Sequence, residues 1–404
     1  MPEQRIVLRN CGAVDSRSLD SFLKRDGFEA LKKARGTAPD RTIEEVKASG
    51  LRGRGGAGFP CGAKWELTRK SPGDQKYIIC NADEGEVGTF KDRHIIQNDP
   101  FSLIEAIAIA GHAIGAMKGF IYLRAEYRRF RGLLDTAIEQ SKERGFLSGF
   151  DIEIRDGAGA YVCGEESALM DSIEGRRGEA RFKPPFPPTS GLWSKPTVIN
   201  NVETLMNVPP IILRGSAWFS SIGTERSKGT KVFSVAGDVE RPGVYELVMG
   251  SHLRELVVNL AKAKEPNLIQ IGGATGRIVP VTMLDTPLAF ESLLGAGAIT
   301  VFNNSRDVIY VVLRTMEFLA EESCGKCTPC REGTAVMVGI MERFASGEAS
   351  ERDIANLEAL SRTMAVSSLC GLGQAAPTAV TDTLQYFRNT YESRMRKEPV
   401  GVKS

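Results

Sequence analysis

Ser323-Cys324-Gly325-Lys326-Cys327-Thr328-Pro329-Cys330-Arg331, with Cys370 forty residues beyond the last of the three cysteines, organises the final quarter of this chain. Three thiolates spaced C-x2-C-x2-C can wrap one inorganic cube, and a distant fourth can close its remaining iron corner. Zinc more often takes cysteines as two separated C-x2-C pairs. The spacing therefore favours an iron–sulfur cluster and a protein that moves electrons. From about residue 305 onward the pattern is almost wholly helical. It predicts a small helical bundle gripping the cluster, with the triplet in a turn between two helices and Cys370 just after a helix around Glu358 to Ala365.

Composition narrows the rest. A chain of 404 residues, 42% apolar and 25% charged, has room for two or three domains, each with its own core. Its 52 basic and 50 acidic residues leave a net charge of +2, which implies no general affinity for nucleic acid or an anionic membrane. Ala106 to Met117 is too short to span a bilayer, contains His112 and is flanked by Glu105 and Lys118. No apolar signal region follows Met1. Cys11, Cys61, Cys80 and Cys163 are scattered, as free thiols are in a reducing compartment. A cytoplasmic protein, at most peripheral to a membrane complex and without direct membrane insertion, is expected.

Upstream of the bundle the chain divides by pattern. Residues 1–45 read as an N-terminal arm, a short polar strand and then helix. Residues 46–225 alternate buried strands (Tyr77 to Cys80, Phe120 to Leu123) with amphipathic helices (Leu103 to Ala116, Phe130 to Arg144), an α/β signature. Residues 226–304 turn to short strands with one helix, Leu253 to Ala263, and residues 305–404 form the helical unit.

Three segments carry candidate binding chemistry. Gly53-Arg54-Gly55-Gly56-Ala57-Gly58-Phe59-Pro60 contains a formal G-x-G-x-x-G, but Ile43 to Lys47 before it looks helical, so the ordinary nicotinamide-binding βαβ unit is unsupported. Its glycines still let backbone N–H groups approach a phosphate or a flat ring, with Arg54 and Lys64 to supply charge. Asn81 to Arg93 follows a strand directly, where ligands bind in open α/β sheets. Gly157 to Glu166 ends in paired carboxylates. With no histidine or nucleophile elbow beside them, these suit ribose hydroxyls better than hydrolysis. Lys183-Pro184-Pro185-Phe186-Pro187-Pro188 is either a linker or part of a cleft wall.

In this order, and with Glu174-Gly175-Arg176-Arg177-Gly178, Ile199-Asn200-Asn201-Val202-Glu203-Thr204 and Leu369-Cys370-Gly371-Leu372-Gly373, the segments span nearly the whole chain. The chain resembles the F-type, NADH-binding flavoprotein subunit of bacterial respiratory complex I, and the diaphorase subunits of NAD-linked hydrogenases and formate dehydrogenases. The resemblance implies a Rossmann-like α/β domain holding FMN, a β-grasp domain of the soluble-ligand-binding type, and a helical bundle whose Cys324, Cys327, Cys330 and Cys370 hold one [4Fe–4S] cluster. It implies that Gly53, Arg54, Gly55, Gly56, Ala57, Gly58, Lys64, Asn81, Asp83, Glu84, Tyr161, Gly164, Glu165, Asn200 and Asn201 hold the flavin. Phe59, Glu86, Glu166, Lys183 and Phe186 would meet the dinucleotide, with Glu86 the candidate catalytic residue.

The implied reaction is NADH:acceptor oxidoreduction. NADH gives two electrons together and the cluster accepts one at a time, so a flavin between them converts one into the other. Electrons must then leave to partners, a small [2Fe–2S] thioredoxin-like subunit and a larger iron–sulfur or catalytic one. The alternatives are the NAD(H)-binding subunit of an electron-bifurcating hydrogenase or NAD-linked formate dehydrogenase, and, from a different class, a non-catalytic zinc-binding scaffold. Glu166 beside the adenosine ribose would favour NADH over NADPH. Against the family pattern, Cys61 replaces Thr, Val87 replaces Pro, and Leu67 stands where relatives often carry an aromatic ring. The compact form of the family is expected, with no thioredoxin-like domain ahead and no ferredoxin-like extension behind.

Overall fold

Buried positions on both faces of Tyr77–Ala82 (β1) mark it as the middle of a covered sheet. In the computed structural model, which describes residues 3–396, it pairs in parallel with Lys118–Leu123 (β2) on one side and with Thr197–Asn201 (β4) on the other. Asp151–Asp156 (β3) lies outside β2, giving the order β3-β2-β1-β4. Ile78, Cys80 and Ala82 face a large core of helices, among them Pro100–Ile114, which is buried almost all round. Ile79, Phe120, Tyr122 and Ile199 face a smaller core under helix Glu166–Ile173. The chain steps from β1 to β2 to β3 and then returns to the far side of β1. This places a topological switch at the C-terminal ends of β1 and β4, where an open sheet leaves a crevice.

The first residues depart from expectation. Among the described residues of this arm no strand forms; residues 6–14 are turns and bends. The N–H groups of Ile6, Val7 and Leu8 converge on the buried carboxylate of Glu246 at 3.0, 2.9 and 2.9 Å, which leaves none for a strand ladder. Leu8, Phe22, Phe28 and Leu31 join the core of the parallel sheet, so this arm is packed in.

A second sheet follows, built from Thr230–Gly237 (β5), Gly243–Val248 (β6), Pro266–Ile271 (β7), Arg277–Pro280 (β8) and Ala298–Asn303 (β9) in the order β6-β5-β9-β7-β8. Only β5 with β9 is parallel. The expected helix here is short and wound as a π-helix over Glu255–Leu260. Three long helices, Val308–Glu321, Thr328–Ser346 and Glu351–Ser367, make the bundle, and Leu268 and Ile278 of the second sheet, with Ala274 of the β7–β8 turn, pack into its core. No described helix is long and apolar enough to cross a membrane.

Candidate functional site: a glycine-lined crevice beside a four-thiol cavity

The expected residues from five separated segments meet at the switch between β1 and β4. Asn81, near the end of β1, donates from Nδ2 to the Gly164 carbonyl at 2.9 Å and accepts the Asp83 N–H at 3.0 Å. This laces the loop after β1 to the short 3₁₀ turn Tyr161–Gly164. The approach is close enough that a Cβ at Gly85 would lie 3.1 Å from the Tyr161 ring. Helix Cys61–Lys70 points Lys64 into the crevice, where Nζ donates to the Ile199 carbonyl at 3.1 Å and faces Glu166 at 3.4 Å. Lys183 bridges Glu165 and Glu166 at 2.9 and 2.8 Å, so two cations and two carboxylates neutralise one another along this wall.

The glycine segment forms a loop pinched at its base, where the Gly53 N–H donates to the Phe59 carbonyl at 2.9 Å. A Cβ at Gly55 would come within 3.0 Å of Asn201 Cβ, so the loop lies directly against the end of β4. At its exposed tip, Gly56 adopts φ +123°, a backbone only glycine holds without strain. The N–H groups of Gly53 and Arg54 are used within the protein, whereas those of Gly55, Gly56 and Ala57 have no acceptor among the described residues. Backbone donors without a protein acceptor leave this exposed glycine tip open to an anion such as the phosphate of a mononucleotide. Phe59 and Phe186 stand 49% and 55% exposed, free apolar faces for a planar ligand.

Several residues expected at the ligand also hold the loops. Arg54, expected to lend charge to a phosphate, buries its guanidinium and donates to the Lys228 carbonyl at 2.6 Å; burial lowers its pKa to about 10. Glu84 accepts the N–H groups of Asp92 and Arg93 at 2.8 and 3.0 Å and the Tyr127 hydroxyl at 2.9 Å. Burial, and then the neighbouring Asp92, raise its pKa to about 7. Asn200 is occupied by the indole N–H of Trp65 at 2.8 Å. Asn201 donates to Asp92 at 2.6 Å and caps helix Val202–Met206. Asp83, desolvated beside the crevice, is raised to about 7.

Glu86 and Tyr161 form a joint between all three parts of the molecule. The Glu86 carboxylate accepts the Tyr161 and Thr275 hydroxyls, both at 2.7 Å, and the Ala274 N–H at 2.6 Å. The Tyr161 N–H donates to Glu322 at 2.9 Å, and its ring meets Phe318 edge-on with centroids 5.5 Å apart. Sequence reasoning did not assign Thr275, Glu322 or the buried charges behind the crevice. There, Glu203 binds Lys91 at 2.9 Å and Lys231 at 2.6 Å, Lys91 binds Asp92 at 2.7 Å, and all four are buried. Lysines and acids in a sequence give no sign of burial; the one available hint was that Lys231 interrupts an otherwise strand-like run.

The cysteine cavity lies on the other side of the Tyr161–Gly164 turn. Cys324, Cys327, Cys330 and Cys370 line it together with Val162, Ala180, Lys326 and Leu372. The triplet straddles the predicted turn: Cys324 and Cys327 lie in it, while Cys330 sits in the first turn of the following helix. Cys370 follows helix Glu351–Ser367 and begins Gly371–Ala375. Among the described residues, no three His, Cys, Asp or Glu side chains are gathered tightly enough to hold a single ion. Four thiols around one cavity are the donor set that a [4Fe–4S] cube takes. Gly373 is required at its edge, since a Cβ there would lie 2.6 Å from Ser368 Oγ and 2.8 Å from Cys330 Cβ. Burial raises the free Cys330 thiol to about 11, so cluster binding must displace its proton. Cys61 is buried and raised to about 12, the state of an inert packing thiol. Leu67 is half exposed on the same helix as Lys64.

A glycine loop with free backbone donors and a four-thiol cavity one turn apart are the features of a flavin- and iron–sulfur-binding protein. Residues 46–210 match the Nuo51 FMN-binding domain, and residues 310–394 match the NADH-ubiquinone oxidoreductase-F iron–sulfur binding region. The chain is 44% identical to the NADP-reducing hydrogenase subunit HndC of Solidesulfovibrio fructosivorans, over 98% of this chain and 85% of the relative. It is 43% identical to an F-type NADH-quinone oxidoreductase subunit, the one numbered 2, of Rhizobium meliloti (strain 1021), over 97% and 98%. A crystal structure of an NAD⁺-reducing [NiFe]-hydrogenase in the H₂-reduced state superposes with a TM-score of 0.89 at 40% identity, covering 92% of this chain and 66% of the other. The chain belongs to the family of F-type NADH-quinone oxidoreductase subunits and the corresponding subunits of NAD(P)-reducing hydrogenases.

Proposed function

We propose that this chain is the NADH:acceptor oxidoreductase, or diaphorase, subunit of a multisubunit complex. The observation that carries the reading is the position of the Tyr161–Gly164 turn. Gly164 closes the crevice through Asn81, and Val162 lines the thiol cavity two residues away. FMN bound in the crevice supplies the conversion between hydride transfer and single-electron transfer.

In this reading the parallel sheet is a Rossmann-like FMN domain over residues 46–225, with the arm 1–45 packed against it. The second sheet is a β-grasp domain over 226–304, and 305–404 is the cluster domain. The free N–H groups of Gly55, Gly56 and Ala57 receive the flavin phosphate, with Lys64, paired to Glu166, on the crevice wall. Asn81, Glu84, Asn200 and Asn201 act by holding the crevice walls in register. Phe59 and Phe186 offer flat apolar surface to the dinucleotide, with Lys183 and Glu166 at its ribose side. Glu86 positions Tyr161 and the Ala274–Thr275 turn; hydride transfer asks for no proton from it. Cys324, Cys327, Cys330 and Cys370 supply four thiolates. Electrons leave to a small [2Fe–2S] subunit and a larger iron–sulfur or catalytic one. The preferred nucleotide is NADH.

Anaerobic addition of NADH tests this directly. It should bleach a yellow-brown preparation and, with dithionite as the control reductant, develop the paramagnetic signal of a reduced [4Fe–4S] centre. A colourless, zinc-loaded protein overturns the reading, and equal catalytic efficiency with NADPH overturns the nucleotide preference.

A further inference from the structure

The four cluster thiols are not served equally by hydrogen-bond donors. Cys370 faces the backbone N–H groups of Leu372 and Gly373, and Cys327 faces the Leu369 N–H at 3.5 Å. Cys330 instead has a side-chain partner, the hydroxyl of Ser323, with Oγ 3.3 Å from Sγ. Ser323 also lines the cavity and accepts the Gly325 N–H at 3.4 Å. Between a neutral thiol and a hydroxyl either atom can donate. Once Cys330 is an iron-bound thiolate it has no proton to give, and the direction is settled: Ser323 Oγ–H donates to sulfur.

We propose that Ser323 is a potential-setting residue, whose hydroxyl donates to the Cys330 thiolate and raises the reduction potential of the cluster. The inference rests on the iron–sulfur reading above. A reduced cluster carries one more negative charge than an oxidised one, so a donor to a ligand sulfur stabilises the reduced state more. Backbone donors survive any side-chain substitution. Among the donors to these thiols named above, Ser323 is therefore the one that a substitution removes cleanly.

The experiment is an EPR-monitored redox titration of the full complex carrying Ser323→Ala, Ser323→Gly or Ser323→Thr, with iron and flavin content measured in parallel. Loss of the hydroxyl should lower the reduction equilibrium constant about tenfold, a fall of about 59 mV for a one-electron couple. Ser323→Thr, which keeps the hydroxyl, should restore the unsubstituted potential. An iron-replete Ser323→Ala or Ser323→Gly protein titrating with the unsubstituted one overturns the proposal. Loss of iron from both, with Ser323→Thr replete and unshifted, assigns Ser323 to the turn alone through Gly325 and overturns it equally. A different failure, no [4Fe–4S] signal in the unsubstituted protein, strikes the underlying functional reading instead.

Discussion

The crevice and the cysteine cavity stand on either side of one short turn and are built in opposite ways. In the cavity, four cysteine side chains form part of the lining, three of them from one short stretch of chain. In the crevice, the polar side chains are largely spent on one another. Arg54, Glu84, Asn200 and Asn201 all have internal partners, and the unspent donors are the backbone N–H groups at the tip of the glycine loop. A metal cluster needs the particular atoms that ligate it. A phosphate needs only N–H groups held in a concave array, so the side chains are free to do the holding.

If this contrast holds, the two sites should fail differently. The largest effect is expected from Cys370→Ser, which should abolish the cluster's EPR signal and release iron while FMN stays bound; measured iron and flavin content decide it. Retention of a full cube would show that the cavity tolerates loss of a ligating atom. Next comes Glu203→Ala, in the buried charge cluster behind the crevice, which leaves Lys91 and Lys231 without their shared carboxylate. Breaking such a buried pair costs ~3–5 kcal/mol. Thermal unfolding of the holo-protein should show it, with the crevice side more affected than the bundle.

A smaller loss is expected from Gly56→Val, whose Cβ would meet no atom within 4 Å but whose backbone would be forced to φ +123°. That strain costs of order 1–3 kcal/mol. It should appear as weaker FMN binding in a fluorescence titration, with iron content unchanged. Unaltered flavin affinity would remove the phosphate role from the loop tip.

The pH dependence separates the crevice from the cavity again. Burial keeps Glu84 protonated to about pH 7, against 4.5 for an ordinary glutamate. Between those values the folded chain binds a proton that the unfolded chain has already lost. The group's contribution is therefore fully present below about 4.5 and declines as pH rises through 7. Glu84→Gln should flatten this part of the curve of urea midpoint against pH, whatever it does to the absolute level. The smallest effect is expected from Lys183→Ala at the partly exposed mouth. It should raise KM for NADH a few-fold, corresponding to roughly 1 kcal/mol, with kcat little changed.

Legibility in the sequence followed the same division. The cysteine spacing announced its ligand, and the helices on either side were readable from their apolar period; Glu351–Ser367 extends in both directions beyond the predicted Glu358 to Ala365. The parallel sheet was half legible. Ile78-Ile79-Cys80 and Phe120-Ile121-Tyr122-Leu123 are continuous apolar runs, whereas Asp151-Ile152-Glu153-Ile154-Arg155-Asp156 is an edge strand whose polar residues hide it. Thr197–Asn201 is conspicuous as a motif but not as a strand, because Asn200 and Asn201 carry no strand signal. At the start of the chain a polar strand was expected and turns were found. The cause, the Glu246 carboxylate, lies more than two hundred residues away.

The amino-acid order by itself determined which residues could ligate iron, where glycine freed the backbone, and which stretches would be helix or buried strand. These properties belong to single residues or to a short period along the chain. Tertiary structure alone decided that β4 returns beside β1, that Tyr161 ties all three parts together, and that acids expected at the ligand also brace the loops. Each of these depends on partners far away in sequence, and a carboxylate is the same letter whether it meets a ribose or a backbone N–H.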